Sequence, residues 1–174
     1  TGVQTCALPI LAAAITGLSE KVARRAGIPH EVVHLHPGSH AGYYPGAEPI
    51  ALKVVFEPGS GRLLGAQAVG LDGADKRIDV IATALYGGLT VNDLMNLELA
   101  YSPQYGSAKD PINHVGYVGD NVLQGRTPTV QWHELDARQA AGTLVIDVRT
   151  DSEHQLHSIP GVLHIPVDEL QIGR

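Results

Sequence analysis

Two tyrosines, Tyr101 and Tyr105, sit in the run Tyr101-Ser102-Pro103-Gln104-Tyr105-Gly106-Ser107-Ala108-Lys109-Asp110-Pro111, which two prolines and a glycine turn into a stiff loop after a helical segment. Pro103 and Pro111 fix their own φ and push Ser102 and Asp110 out of helical geometry, so the phenols are held in defined directions. A phenol with an ordinary pKa near 10 is a neutral donor at pH 7 and can stabilise negative charge developing on an acceptor. A second candidate group is His34, His36 and His40, followed by Tyr43-Tyr44. The H-x-H-x3-H spacing sets two imidazoles on one strand face, but no cysteine or carboxylate cluster supports a metal there, and none is expected. His36 and His40 are expected instead to brace the Tyr43 loop through hydrogen bonds. Lys109 and Asp110, between Gly106 and Pro111, could meet a phosphate or stabilise the loop, and the loop role is preferred. No nucleophile and base pair stands out.

The elements that must position these residues follow from periodicity. Leu18, Val22, Ala23 and Ala26 repeat at helical spacing, with Ser19 as N-cap and Gly27 as the stop. Residues 31–36 alternate as a strand, with Val33 and Leu35 on one face and Val32, His34 and His36 on the other. Residues 50–56 and 62–70 form strands around the turn Glu57-Pro58-Gly59-Ser60-Gly61, so the sheet is expected to be antiparallel. From Ala74 to Tyr86, Ile78, Ile81, Ala82 and Leu85 mark a helix that Gly87-Gly88 ends. Thr90 with Asp93 forms a capping box for a further helical turn leading to Tyr101. The arrangement expected is α+β, an antiparallel sheet with two helices on one face and the other face left for a partner.

Gly119, Gly125 and Pro128 interrupt any period, so residues 119–129 read as a linker between a domain over 14–118 and a second one from 130 to 174. In the second, a short helix near 136–141 precedes two apolar strands at 144–148 and 162–165, expected to be buried and parallel. Asp147 and Arg149 at the end of the first strand read as a structural ion pair. Residues 1–13 are set aside as a leader foreign to the fold, because the first ten resemble a translated short-read sequencing adapter. The only cysteine, Cys6, lies in that leader and is given no role. The chain opens without methionine and stops at Arg174, soon after a helix start at Asp168-Glu169-Leu170, and is read as a fragment cut at both ends.

Twelve Lys and Arg against 18 Asp and Glu give a net charge of −6, which argues against nucleic acid or an anionic membrane as partner. No apolar run approaches the roughly 20 residues that span a bilayer, and no signal-peptide pattern is present, so a cytoplasmic setting is expected.

The Tyr101 run resembles the Tyr-Ala-Pro-Pro-type loop in the interface domain of the flavin-dependent coenzyme A disulfide reductase, NADH oxidase and persulfide reductase group. The segment His36-Pro37-Gly38-Ser39-His40-Ala41-Gly42-Tyr43-Tyr44-Pro45-Gly46-Ala47 is similar to that group's His-Ala-x-Tyr-Tyr-Pro-Gly-Ala segment. With Thr16-Gly17-Leu18-Ser19-Glu20-Lys21 the likeness covers roughly residues 14 to 120. Gln104 stands where relatives more often carry a second proline, which implies a looser loop. The second region, Val145-Ile146-Asp147-Val148-Arg149 with His157-Ser158-Ile159-Pro160-Gly161-Val162, is similar to the first half of a rhodanese-like sulfurtransferase domain whose cysteine loop would lie beyond Arg174.

The resemblance implies a homodimeric parent that uses FAD and NAD(P)H to reduce coenzyme A disulfide, coenzyme A persulfide or polysulfide. The cofactors and the redox-active cysteine would belong to a missing amino-terminal part, so the fragment alone is expected to bind neither cofactor and to catalyse nothing. Tyr43 and Tyr101 match the tyrosines that reach the partner subunit's sulfur, with Tyr44 the alternative to Tyr43. His40, Pro103, Tyr105 and Lys109 are the supporting residues. Two other readings stand beside this one: a non-catalytic assembly module whose tyrosines only pack an interface, and the same domain from an NADH oxidase.

Overall fold

The computed structural model describes residues 4–8 and 11–170, the former by backbone alone. The chain divides into two units, Thr1–Pro128 and Thr129–Arg174.

In the first unit the described strands are β1 (Gln4–Leu8), β2 (Leu11–Gly17), β3 (Glu31–Leu35), β4 (Ile50–Phe56) and β5 (Leu63–Gly70). They form one sheet in the order β1-β2-β5-β4-β3, every neighbouring pair antiparallel. The α+β expectation and the β4–β5 hairpin agree with this sheet. Helices α1 (Glu20–Arg25), α2 (Ala74–Tyr86), α3 (Val91–Leu94) and α4 (Pro111–Leu123) complete the unit. Helix α2 has the bounds its apolar stripe indicates, and Ile78 and Ile81 are fully buried on that stripe. The core lies between one sheet face and the helices, where Val33, Leu52, Val54 and Ala66 meet Ile78, Ile81, Val91, Leu94, Ile112 and Val115.

Several expectations need correction. Setting residues 1–13 aside from the fold leaves out strands, since β1 pairs with β2 and β2 runs across residue 14 with Ala14 and Thr16 buried. The run Leu11-Ala12-Ala13-Ala14 has little strand propensity of its own, and its pairing with β5 supplies the structure. Readings that fall on residues 1–3, 9–10 and 171–174 lie outside the described residues.

Residues 119–123, read as linker, belong to α4. Val118, Val122 and Leu123 pack against the core, so the helix continues through the glycines. The opposite sheet face is not left wholly open either. Val32, Val55 and Leu64 form a small cluster there with Ile28, and Lys53 of β4 pairs with Glu20 of α1. Val22, placed on the apolar stripe of α1, is exposed, while Ala23 is buried.

In the second unit a 3-10 turn at Trp132–Glu134 leads into α5 (Leu135–Ala140), followed by β6 (Ile146–Asp147), α6 (Asp151–Leu156) and β7 (Leu163–His164). Strands β6 and β7 are parallel, with α6 as the crossover. The expected burial of these strands is not found, because Leu144, Ile146, Val148 and Leu163 are exposed and among the described residues no second layer covers them. Residues 167–169 form a turn in which Leu170 N–H donates to Pro166 O at 3.1 Å, and any continuation of the helix read from 168 lies outside the described residues.

Candidate functional site

Two loops of the first unit carry the candidate residues. The first leaves β3, returns through a bridge between Gly38 and Pro49, and exposes Tyr43 and Tyr44 at a turn. Ser39 closes the neck of this loop twice, its N–H donating to Glu48 O at 2.7 Å and its Oγ accepting from the Glu48 N–H at 3.1 Å. The second loop runs from Tyr101 to Asp110 and is turned by Pro103, with the N–H groups of Tyr105 and Gly106 both donating to Ser102 O. Gln104 accepts from Ser102 Oγ at 2.6 Å, a side-chain constraint where the resemblance led us to expect a looser loop.

The loops are tied together. Ala41 N–H donates to Gly106 O at 3.0 Å, and both residues are buried. Above this tie, Tyr43 Oη lies 2.7 Å from Tyr101 Oη although 58 positions separate them in sequence. Either hydroxyl can be the donor, so one of the two hydrogens is used between them and the other stays available to an outside acceptor. The bond to Tyr101 raises the pKa of Tyr43 above the usual tyrosine value, with slight desolvation adding to it. Tyr43 is 76% exposed and Tyr101 50%, so the pair opens onto surface rather than into the unit's own core.

Of the supporting residues, His40 is buried, its Nδ1 3.2 Å from Ala41 O, and its ring meets the Tyr44 ring edge-on at 5.7 Å. That bond is local, to the carbonyl of the next residue in the chain. His36 is exposed beyond the end of β3. Tyr105 is exposed, and its carbonyl accepts from Lys76 Nζ at 3.2 Å. Lys109 is exposed on the loop surface. Among the described residues no group of three or more potential metal ligands stands together.

The residue that sequence reasoning missed is Arg77. It lies on α2 with 1% of its surface exposed, donating through Nη2 to Asp110 Oδ2 at 2.9 Å and to Ser39 O at 2.7 Å. Asp110 is also the N-cap of α4, accepting from Ile112 N–H, while Asn113 Oδ1 accepts from the Asp110 N–H. Pro111 therefore opens a helix as an N1 proline. The signal was present as Asp-Pro followed by Asn, an N-cap, N1 and N3 pattern.

In the second unit Asp147 pairs with Arg149 at 2.7 Å and with His154 Nδ1 at 2.9 Å. The Arg149 bond, then the His154 bond, hold its carboxyl well below the usual carboxylate range. This is the ion pair the sequence suggested.

The fold and site define an α+β domain that presents two hydrogen-bonded phenols at its surface. By family, the chain belongs to the pyridine nucleotide-disulphide oxidoreductases through their dimerisation domain, whose family model matches residues 3–110. It is 50% identical over 88 residues to coenzyme A disulfide reductase of Staphylococcus epidermidis, covering 51% of this chain and 20% of that protein. The solved structure of reduced Bacillus anthracis CoADR-RHD superposes with a TM-score of 0.94 at 50% identity, covering 97% of this chain and 30% of that one. An NAD-dependent persulfide reductase from A. fulgidus gives 0.85 at 35% identity, covering 96% of this chain and 30% of that one. The chain thus spans about a fifth of the curated relatives it matches. No described helix is long and apolar enough to cross a membrane.

Proposed function

We propose that this chain is the interface part of a homodimeric, FAD- and NAD(P)H-dependent reductase of coenzyme A disulfide, coenzyme A persulfide or polysulfide, and that Tyr43 and Tyr101 serve the active site of the partner subunit. The observation that carries the reading is the 2.7 Å contact between two exposed hydroxyls on loops that the core locks together. One hydroxyl accepts from the other and offers its own hydrogen outward, and such a chain polarises its terminal donor. That donor suits a thiolate or a departing sulfur, where negative charge grows during disulfide cleavage. The similar proteins, a coenzyme A disulfide reductase and a persulfide reductase, favour sulfur as the acceptor.

The flavin and nicotinamide are assigned to the part of the parent outside this chain. Gly59-Ser60-Gly61 sits in the β4–β5 turn, and Gly59 and Gly61 there have positive φ, so it does not form the strand-to-helix phosphate cradle of a dinucleotide site. The parallel β6–α6–β7 unit is read as the opening of a rhodanese-like domain, supported by the 97% coverage against the Bacillus structure, and a cytoplasmic location is proposed with it.

The test is to change Tyr43 and Tyr101 to Phe in the full-length parent and follow NAD(P)H-dependent reduction of coenzyme A disulfide together with the dimer's sedimentation. Lost turnover in an intact dimer is expected. Full turnover in an intact dimer would leave the domain a pure assembly module.

A further inference from the structure

Arg77 occupies an inward position on α2, where the neighbouring buried residues Ala74, Ile78 and Ile81 are apolar. A buried guanidinium needs compensation for every donor it takes from water, and matched apolar residues would often hold such a place as well or better. Stability alone therefore does not account for it. Its contacts do: Nη2 reaches Ser39 O at 2.7 Å and Asp110 Oδ2 at 2.9 Å, Nε lies 3.4 Å from Asp110 Oδ1, and Nη1 donates to Gly73 O at 3.3 Å. Ser39 is the neck of the Tyr43 loop, and Asp110 closes the loop that Tyr101 opens. One rigid fork thus fixes both loops to one helix, which the single nitrogen of a lysine could not do in the same geometry. The fold makes room for it at Gly73, where a β-carbon would stand 2.4 Å from Arg77 Nη1.

We infer that Arg77 is a positioning residue for the Tyr43–Tyr101 hydroxyl pair, joining Ser39 in one tyrosine loop to Asp110 in the other. Its bearing on turnover rests on the proposed role of the phenols, whereas its bearing on their geometry does not. The readout is the titration of Tyr43, followed by ring-carbon NMR of the whole 174-residue chain and assigned by loss of the signal in Tyr43→Phe.

In the unaltered chain Tyr43 is expected to titrate above the ordinary tyrosine value of about 10, because its partner hydroxyl is within reach. In Arg77→Lys, with unchanged far-ultraviolet circular dichroism, the midpoint is expected to fall back to that ordinary value. A midpoint that stays raised overturns the inference. Should Arg77→Lys fail to fold, Asp110→Asn, which keeps a good helix cap, replaces it and the same two results decide. Loss of the fold in both variants also overturns it, since a purely structural role would then explain the pair.

Arg77→Lys in the full-length parent separates the two ideas. A fallen midpoint with a lowered kcat and little change in KM supports both. A fallen midpoint with unchanged turnover removes the phenols from catalysis but leaves Arg77 as their positioner.

Discussion

Gly116 of α4 faces Met95 so closely that a β-carbon on it would lie 2.6 Å from the Met95 backbone nitrogen and 2.9 Å from Val91 O. The glycine is therefore the place where α4 closes on α3 and its C-terminal turn. At Gly119, one turn on, the three atoms nearest to such a β-carbon all belong to the side chain of Val91, at 3.0 to 3.2 Å. Alanine gains about 1 kcal/mol over glycine in a helix interior, while overpacking against groups that cannot move costs about 1–3 kcal/mol. Gly116→Ala should accordingly destabilise the chain by about 1–2 kcal/mol, and Gly119→Ala should be near neutral. Urea midpoints of the two variants check the order, and equal midpoints would contradict the packing described.

Asp110 answers both a buried cation and the first turn of α4. Asp110→Ala leaves Arg77 without its counter-charge and exposes the α4 start, a loss of about 3–5 kcal/mol by comparison with other broken buried pairs. Arg77→Met combined with Asp110→Leu removes both charges, and the double variant should be clearly more stable than Asp110→Ala, despite the missing cap. Chemical denaturation of all three chains decides the point. A double variant less stable than Asp110→Ala would mean that the pair is not the main component.

Helix α2 is readable in the sequence because Ile78, Ile81, Ala82 and Leu85 fall on one stripe and two glycines stop it. The capping box of Thr90 and Asp93 is readable for a similar reason, since both of its hydrogen bonds lie within four residues. Helix α4 is hidden because Gly116 and Gly119 look like breakers while serving as points of close approach, and Pro111 looks like the end of a loop while opening a helix. Arg77 is hidden because its partners lie 33 and 38 positions away and its neighbours Asp75 and Asp79 are exposed, so it reads as one more charge on a wet face. The phenols themselves were singled out from their loops, but their mutual bond is a tertiary relation that no local pattern encodes.

Glu20 gives the chain a measurable response to acid. Its hydrogen bond to Lys53 lowers its pKa below the usual 4.5, against an opposing push from partial burial, with Arg24 adding to the lowering. A carboxylate with a depressed folded-state pKa contributes stability above its unfolded value and loses it as the pH falls through the folded one. The stability difference between the unaltered chain and Glu20→Gln should thus be present at neutral pH and vanish on acidification from about pH 4.5 downward. Denaturation midpoints of both chains across that range test it, and a difference that grows with acid would reverse the sign argued here.

If Tyr43 and Tyr101 serve the partner's active site as proposed, their bond also fixes how their substitutions combine in the full-length parent. If each phenol acted alone on the sulfur, Tyr43→Phe and Tyr101→Phe would each remove an independent donor and their losses would multiply. In the arrangement seen here, one hydroxyl orients and polarises the other, so deleting either breaks the same two-membered chain. Each single change should lower kcat by roughly 10²-fold or somewhat more, the scale of losing one preorganised donor in a transition state. The double change should be little worse than the more damaging single one, because residues that act as a unit are strongly non-additive. Turnover of the three variants, each confirmed as a dimer by sedimentation, measures the coupling directly, and fully multiplicative losses would show that the two hydroxyls reach the sulfur by separate routes.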